Sequence, residues 1–371
     1  MARPSASGRA WLRSGMAELT GRADGPALLP PDVVVERIKA LGRQAGVDAL
    51  TLASERGRLQ GLHRQGTTSC DGTTRLLPSA DAWLAVTLAD PHDIAAVPAW
   101  LELDPQTIDP ADPWAVVGAA VADRPAAALV ARATLLSLAV SSLGEHERAG
   151  PGPAVATQLG GLSPMRRRAP IVLDLSSSWA GPLCGAILAD AGAEVFKVES
   201  TSRPDPARER SPALYELLNG MKERTALDLE LDAEGAAEDR SRLQDLVAQA
   251  DVVVESSGVQ ALAALGFDAE ACLLAPDGPR IWVSITGHGG GAERGGTGDD
   301  AAVAGGLVAW DETGPCFAGD EIAAPLAGIT AAGIVRTALQ AGGRWLADVS
   351  LAGVAAHVAE GLEQEAWRPA P

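Results

Sequence analysis

The stretch PIVLDLSSSWAGPLCGAILADAGAEVFKVES, residues 170–200, decides the fold class of this chain. Residues 170–176 are a short apolar run rich in β-branched side chains, which is typical of a strand buried on both faces of a parallel sheet. Residues 181–193 show helical spacing and contain a glycine near their end, and residues 194–200 predict a second strand. Strand, helix and strand within about 30 residues predict a right-handed βαβ unit.

The same alternation continues towards the C-terminus. Residues 226–230 predict a strand, residues 232–250 a helix with Asp232 as its N-cap, and residues 251–256 and 280–287 two further buried strands. This pattern predicts an α/β protein with a Rossmann-like, doubly wound parallel sheet. Ligands bind such sheets beyond the carboxyl ends of the strands. We therefore expect one crevice surrounded by residues 176–179, 199–203, 256–258 and 288–291.

The first 150 residues follow a different pattern. Residues 73–90 predict two antiparallel strands with a turn at 78–81, and residues 92–102 and 113–138 predict helices. We expect a smaller α+β domain over residues 1–150, a Pro/Gly-rich linker over 151–169 and the Rossmann-like domain over 170–371. Residues 14–41 also echo residues 304–332 in their order of small residues, turn, Gly-Pro pair and helix, as in a partial internal repeat.

Composition narrows the class of protein. The 371 residues are 47% hydrophobic and carry a net charge of −18, which argues against nucleic acid as a partner. No uninterrupted apolar run of about 18 residues predicts a membrane span, and the N-terminus lacks a signal pattern. The four cysteines have no metal-binding spacing. We expect a cytoplasmic protein with reduced thiols, no bound metal and no membrane contact.

Residues 170–371 resemble the class III CoA-transferase family, which includes formyl-CoA transferase, carnitine CoA-transferase and α-methylacyl-CoA racemase. Five segments carry the resemblance: VLDLSSSWAGPLCGAILADAGAEVFKVES, LNGMKERTALDLELDAEG, LVAQADVVVESSGVQALAALGFD, IWVSITGHGGG and LADVSLAGVAAH. Residues 79–104 resemble the small domain of the family, but they precede the Rossmann-like half, so the domain order is permuted. The resemblance implies an interlocked homodimer or a heteromer with a related subunit.

The resemblance also implies a chemistry. Family members move CoA between carboxylic acids through covalent acyl–aspartate intermediates, with acyl-CoA and a carboxylic acid as substrates and no permanently bound cofactor. A gapless alignment places Ala324 where the nucleophilic aspartate stands. Asp320, four residues earlier, could take over this task. In a racemase or isomerase, Asp320 and Asp299 could instead form the acid/base pair, although Asp299 and Asp300 could equally cap the following helix.

The resemblance assigns CoA binding to residues that this chain retains in part. Ala180, Gly181 and Pro182 preserve the turn after the first strand, and Trp179 could cover the adenine. The basic residues Lys222, Arg203 and Arg224 could bind phosphates, whereas Ser200 and Ala264 stand where the family has basic side chains. Three functions remain open: a CoA-transferase, a CoA-ester racemase or isomerase, and a catalytically silent subunit that pairs with an active homologue.

Overall fold

The predicted βαβ unit forms in the computed structural model, with a strand at Ile171–Leu175, a helix at Ala180–Asp190 and a parallel strand at Glu194–Ser200. The first strand is buried because both faces of the sheet are covered by helices. The helix tolerates Pro182 because an N–H group in the first turn of a helix has no acceptor within the helix.

The structure describes residues 3–147, 150, 152–161, 169–228, 236–256, 259–289, 294–362 and 367–370. The expected N-cap Asp232, the expected crevice residues 257–258 and 290–291, and linker residues 151 and 162–168 lie outside this part. None of the helices in the described ranges is long and apolar enough to cross a membrane.

The N-terminal segment is helical. It contains α1 (Ala6–Arg13), a 3₁₀ turn (Met16–Leu19), β1 (Leu28–Leu29), α2 (Asp32–Ala45) and α3 (Ala49–Gln60). A three-stranded antiparallel sheet with its helices follows: β2 (Thr74–Pro78), β3 (Trp83–Thr87), α4 (Pro91–Leu101), a 3₁₀ turn (Pro105–Thr107), α5 (Trp114–Val121), α6 (Ala126–Leu135) and β4 (Val140–Ser142).

The remaining elements build the large sheet and its covering layers. The strands are β5 (Val155–Gly160), β6 (Ile171–Leu175), β7 (Glu194–Ser200), β8 (Glu223–Leu227), β9 (Val252–Glu255), β10 (Ile281–Thr286), β11 (Val308–Asp311), β12 (Gly314–Phe317), β13 (Arg344–Ser350) and β14 (Arg368–Pro369). The helices are α7 (Ala180–Asp190), α8 (Ala207–Arg210), α9 (Pro212–Asn219), α10 (Ala236–Gln249), α11 (Val259–Ala264), α12 (Ala269–Leu274), α13 (Gly298–Ala304), α14 (Ala323–Ala341) and α15 (Leu351–Ala359).

The large sheet has seven strands in the order β5-β13-β10-β9-β6-β7-β8, and only β5, at one edge, is antiparallel. Counted along the chain, the six parallel strands follow the order 3-2-1-4-5-6 of a doubly wound sheet, with its switch point between β6 and β9. The predicted fold class is therefore confirmed. This order matters for function because a crevice opens where neighbouring crossovers leave the sheet in opposite directions.

Two predicted elements differ from those observed. The helix expected over residues 113–138 is split into α5 and α6, because Pro125 constrains the residue before it to an extended conformation and ends the first helix. The strand expected over residues 226–230 begins earlier, at Glu223, because residues 223–227 pair with Phe196–Ser200 of β7. Residues 229 and 230 lie outside the described part.

Hydrophobic packing connects the N-terminal helices to the large sheet. Apolar residues of α1–α3 share one core with α7, α14 and the sheet, whereas residues between Leu84 and Val140 bury a cluster of their own. The division into 1–150, 151–169 and 170–371 stays a prediction. The two echoing segments lie side by side, because α2 packs along α14 and Thr20 forms a β-bridge with Ala318.

Helices α7 and α14 also pack closely, and a glycine makes this possible. A Cβ atom on Gly328 of α14 would lie 2.3 Å from the carbonyl oxygen of Ala180. The start of α7 therefore lies directly against α14. The first turns of these two helices both border the cavity described next.

Candidate functional site

A cavity of about 530 Å³ lies at the carboxyl edge of the large sheet. Its walls come from segments that follow β6, β9 and β10 and from the first turns of α7 and α14. Residues in these walls include Ser177, Ser178, Trp179, Ala180, Ser256, Gly287, Thr297, Gly298, Glu321 and Ala324. The expected position beyond the strand ends is thus confirmed for residues 177–179 and 256. The volume falls within the range of about 300–1,000 Å³ for small-molecule sites.

The crevice is not continuous along the edge of the sheet. Glu199 and Ser200 line a second cavity, together with Arg208 and Arg224. Helix α8 lies between the two, because its residues Ala207 and Arg210 border the first cavity and Arg208 borders the second. His288 lines neither cavity and instead contacts Asp300, with 3.2 Å between Nε2 and Oδ2.

Backbone strain is concentrated at the first cavity. Within the described ranges, four residues other than glycine have a left-handed backbone, and three of them border this cavity: Ser137 (φ 56°), Ser178 (φ 68°) and Glu321 (φ 42°). The left-handed conformation costs on the order of 1–2 kcal/mol for a residue with a Cβ atom. Such conformations persist where the surroundings impose them, and they cluster at functional sites.

The retained Ala-Gly-Pro turn forms one wall. Trp179 and Ala180 line the cavity, whereas Gly181 and Pro182 are buried behind them. Gly181 is required by space, because a Cβ atom there would lie 2.1 Å from Ser176 Oγ. The guanidinium of Arg56 lies 5.5 Å from the Trp179 ring centroid, so the indole packs against a cation in the wall.

The adjoining part of the wall contains the position that the family resemblance assigns to the nucleophile. Ala324 lies in the first turn of α14 and borders the cavity. Glu321 precedes it by three residues, accepts a hydrogen bond from Ala324 N at its carbonyl oxygen and also borders the cavity. Its side chain is 21% exposed. Among the described residues in the cavity wall, Glu321 is the only one with a carboxylate.

One guanidinium from the N-terminal segment holds a cluster of carboxylates behind this wall. Arg56 of α3 donates from Nε and Nη2 to Asp320, at 2.7 and 2.6 Å, and from Nη2 to Asp71 at 3.0 Å. Its Nη1 lies 3.2 Å from Glu321 Oε1. Burial lowers the pKa of Arg56, but Glu321, Asp320 and Asp71 together raise it above its ordinary value. The guanidinium therefore stays charged.

The excess of carboxylates over guanidinium groups shifts several pKa values. Burial raises the pKa of Glu321, and Asp320 and Asp71 add to the shift against the opposing effect of Arg56. Burial likewise raises the pKa of Asp320. The pKa of Asp299 is raised well above its ordinary value, because burial acts together with the charges of Glu321 and Asp71. These surroundings disfavour the ionised form of Asp299.

The structure does not bring Asp320 to the cavity. Its side chain has 0% exposure, and both of its oxygens accept hydrogen bonds from Arg56. A nucleophile needs an oxygen that can approach the substrate, so the expected reacting role of Asp320 conflicts with its position. The carboxylate instead orients the guanidinium that contacts Glu321.

Asp299 and Asp300 have separate structural roles. Asp300 accepts hydrogen bonds from Thr297 N and Oγ1 in a capping box at the start of α13, so the expected cap is observed for this residue. Asp299 accepts a hydrogen bond from Glu321 N at 2.9 Å through Oδ1, and its Oδ2 has no hydrogen-bond partner among the described residues. Neither residue lines the cavity, so Asp320 and Asp299 do not flank it as an acid/base pair.

The basic residues expected to bind CoA have three different environments. Lys222 is buried and donates to Asp174 at 2.7 Å, Pro182 O at 2.8 Å and Asn219 Oδ1 at 2.9 Å, so the expected phosphate contact conflicts with its position. Arg203 is exposed and lines neither cavity. Arg224 lines the second cavity, where it pairs with Glu216 at 2.8 Å.

Arg56 and Glu321 are not among the site residues predicted from the sequence. Arg56 is 264 residues from Asp320 and belongs to a helix without a recognisable motif, so no local pattern identifies it. Glu321 does carry a signal. It stands three residues before Ala324, in the turn that leads into α14, and is joined to it by the hydrogen bond from Ala324 N to Glu321 O. An acidic residue this close to the expected nucleophile position is a signal that the sequence does contain.

Comparisons with known proteins agree with the resemblance. The model of the family described as CoA-transferase family III matches residues 170–364, which is more than half of the chain. An acyl-CoA transferase of Fusarium pseudograminearum is 33% identical over 167 residues, covering 39% of this chain and 35% of that protein. A succinyl-CoA:mesaconate CoA-transferase of Haloarcula hispanica is 40% identical over 95 residues, covering 23% of each.

Among solved structures, a crystal structure of Rv3272 from Mycobacterium tuberculosis matches 55% of this chain and 56% of that chain at 24% identity, with a TM-score of 0.44. A similarity with this TM-score does not by itself indicate a function. The chain aligns with only about a third or less of the length of the curated relatives.

Proposed function

Because the chain belongs to CoA-transferase family III, we propose that it transfers coenzyme A from an acyl-CoA to a carboxylic acid in the cavity at the carboxyl edge of its large sheet. The observation that carries the proposal is the meeting of two walls in one cavity. Ala180, from the retained turn, lines the same cavity as Glu321, just before α14, and Ala324, in its first turn. This arrangement supports a reaction between a bound thioester and a carboxylate of the protein.

The charges around the cavity support an anionic ligand. Arg56, Arg210 and Arg294 all border it, although the net charge of the whole chain is −18. Arg210 is 56% exposed at the side chain, and its nearest carboxylate, Asp90, is 3.9 Å away. This guanidinium can therefore bind the carboxylate of an incoming acid without first breaking a short ion pair.

The second cavity supports binding of the nucleotide part of CoA. Arg208 and Arg224 border it, and each guanidinium lies over the ring of Tyr215, at 4.4 and 5.9 Å from the centroid. Arginines that stack on an aromatic ring are well suited to bind phosphate. In this proposal Arg224 keeps the phosphate-binding role expected from the sequence, and Arg208 replaces the buried Lys222.

Exchange of label between an acyl-CoA and its own acid tests the proposal without knowledge of the acceptor. We expect labelled succinate to enter succinyl-CoA, or labelled acetate, glutarate or cinnamate to enter the matching thioester. Ala324→Trp should fill the cavity and lower the exchange by at least about tenfold. Ala341→Trp, at the exposed end of the same helix, is the matched control and should keep the activity.

Three outcomes discriminate among the functions that the sequence left open. Absence of exchange with every thioester of the panel contradicts the proposal. Solvent deuterium that enters the α-position without an acceptor acid indicates a racemase or isomerase instead. Loss of both reactions, together with a stable complex with a second family member, indicates a silent subunit.

We also propose that the protein works in the cytoplasm as a homodimer or with a related subunit. The free thiols of Cys70, Cys184, Cys272 and Cys316 support a reducing compartment. The exposed apolar side chains of Leu217 and Met221, four residues apart on α9 and just after it, support a subunit contact. Light scattering on the purified chain should give at least twice the monomer mass; a monomer at all concentrations contradicts the homodimer.

A further inference from the structure

Ala324 has no carboxylate to react with a thioester, whereas Glu321, close to it, does. Both residues border the same cavity, three residues apart, and Ala324 N donates a hydrogen bond to Glu321 O. An alanine at the family's nucleophile position removes the reacting carboxylate from the helix. Glu321, three residues earlier, returns a carboxylate to the cavity wall, and its side chain is one methylene longer than that of an aspartate.

The other acids of this region are closed off from the cavity. Asp320 is fully buried against Arg56, Asp300 caps α13, and Asp71 accepts hydrogen bonds from Ser69 and Thr73 as well as from Arg56. None of these three lines the cavity. The 21% exposed side chain of Glu321 is therefore the acid that a bound thioester can meet among the described residues of the wall.

Two contacts hold Glu321 in place. Its N–H donates to Asp299 Oδ1 at 2.9 Å, which fixes a backbone that has the strained φ of 42°. Its Oε1 lies 3.2 Å from Arg56 Nη1, while the remaining guanidinium nitrogens of Arg56 are held by Asp320 and Asp71. A strained residue that is held by a buried ion-pair cluster and faces a cavity has the features of a preorganised reacting group.

We propose that Glu321 is the catalytic carboxylate of this chain and that Arg56, Asp320 and Asp299 are its positioning residues. This inference rests on the proposed CoA transfer and names the residue that performs it. It moves the reacting acid three residues from Ala324, the position to which the family resemblance assigns the nucleophile.

The steps balance without any further reactant. A Glu321 oxygen attacks the thioester carbon and the C–S bond breaks. This step releases CoA as a thiolate and leaves a mixed anhydride between Glu321 and the acyl group. The thiolate attacks the glutamyl carbonyl and expels the donor acid as a carboxylate, which leaves a glutamyl–CoA thioester. The acceptor carboxylate displaces the thiolate to form a second anhydride. The thiolate then attacks the acceptor's carbonyl carbon, forming the new acyl-CoA and restoring the Glu321 carboxylate.

Four variants test the assignment in the full-length chain, with succinyl-CoA and labelled succinate as the first pair. Glu321→Gln should lower exchange on the order of 10³-fold or more, as loss of a nucleophile does. Glu312→Gln, an exposed carboxylate in the hairpin between β11 and β12, is the matched control and should keep full exchange. Asp320→Asn should be slower than the native chain but still react, because it only loosens Arg56.

The fourth variant restores the acid at the other position. Glu321→Gln combined with Ala324→Asp should regain at least about tenfold of the lost exchange, which a purely structural role of Glu321 would not produce. Hydroxylamine added to the native chain during turnover should give a hydroxamate on Glu321, located by peptide mass spectrometry. This second readout needs no variant to fold.

The outcomes separate the two proposals. Absence of exchange and of hydroxamate in the native chain overturns the proposed function and the inference with it. An active native chain whose Glu321→Gln variant keeps its exchange overturns the inference alone, as does a hydroxamate on Asp320. Exchange that disappears with Glu321→Gln and returns with Ala324→Asp, in variants with native circular dichroism, supports both.

Discussion

Replacement of Lys222 by methionine should destabilise the fold strongly while leaving the ligand cavities intact. The Lys222 ammonium and the Asp174 carboxylate both have 0% exposed side chains and are 2.7 Å apart, and Lys222 also donates to Pro182 O and Asn219 Oδ1. Methionine fills similar space but leaves a buried carboxylate without its main partner. Loss of one member of a buried pair costs about 3–5 kcal/mol. We therefore expect a loss of that size in the free energy of unfolding at pH 7.

The pH dependence of this loss follows from Asp174. In the native chain, burial raises the pKa of Asp174, but Lys222 and Lys197 outweigh it and hold the pKa at about 2, below the ordinary value of 3.8 for an aspartate. This carboxylate therefore stabilises the fold above the unfolded pKa, and the contribution is lost as the pH falls towards 2. Without Lys222 the folded pKa rises, so the deficit is greatest at neutral pH and shrinks as acid protonates Asp174.

Urea unfolding followed by tryptophan fluorescence and by circular dichroism measures this change. Lys39→Met, which removes a partly exposed lysine paired with Glu36, is the control and should stay within about 0.5 kcal/mol of the native chain. Asp174→Asn together with Lys222→Met should lose less than Lys222→Met alone, because no charge is then left buried. The reasoning is refuted if Lys222→Met unfolds like the native chain but binds CoA at least tenfold more weakly.

Three further predictions concern Asp299, Gly328 and Glu321. Because burial raises the pKa of Asp299, the contribution of this residue to stability is complete below the unfolded pKa of 3.8 and is lost as the pH rises through the folded pKa. In urea titrations, Asp299→Asn should therefore be more stable than the native chain near pH 8 and nearly as stable near pH 4. A variant that is less stable than the native chain at pH 8 contradicts this prediction. Gly328→Val should lower the free energy of unfolding by about 1–3 kcal/mol, measured by thermal unfolding, because the added Cβ atom would lie 2.3 Å from Ala180 O. An unchanged melting temperature would show that α7 and α14 are further apart. Because burial also raises the pKa of Glu321, the rate of CoA exchange should fall on acidification at a pH above 4.5, the ordinary pKa of a glutamate. A rate that is constant down to pH 4 argues against an ionised Glu321 as the nucleophile.

Local sequence was sufficient for the elements that position the site. The apolar run at 170–176 predicts a strand because it is short and rich in β-branched residues, as strands buried on both faces of a parallel sheet are. The carboxyl edge follows from that topology, and Ser177, Trp179 and Ser256 do lie at the cavity. The turn at residues 180–182 lines or supports the same wall.

The site itself depends on contacts that local patterns do not record. The sequence predicts that Lys222 binds phosphate, but in the structure Lys222 donates to Asp174, which is 48 residues away in the sequence. The sequence likewise predicts Asp320 as a reacting acid, but both of its carboxylate oxygens accept hydrogen bonds from Arg56, which is 264 residues away in the sequence. Ion pairs between distant segments decide which charges are buried and which face a ligand, and a single sequence does not specify those pairs.

Transfer of an oxygen atom tests the central claim most directly. If a carboxylate of the chain forms the anhydrides, an acceptor acid labelled with heavy oxygen leaves one labelled oxygen on that carboxylate after each turnover. We predict that peptide fragmentation after turnover with labelled succinate and succinyl-CoA will locate the heavy oxygen on Glu321 and not on Asp320. Exchange of CoA that proceeds with the heavy oxygen on Asp320, or with none on the protein, would contradict the account.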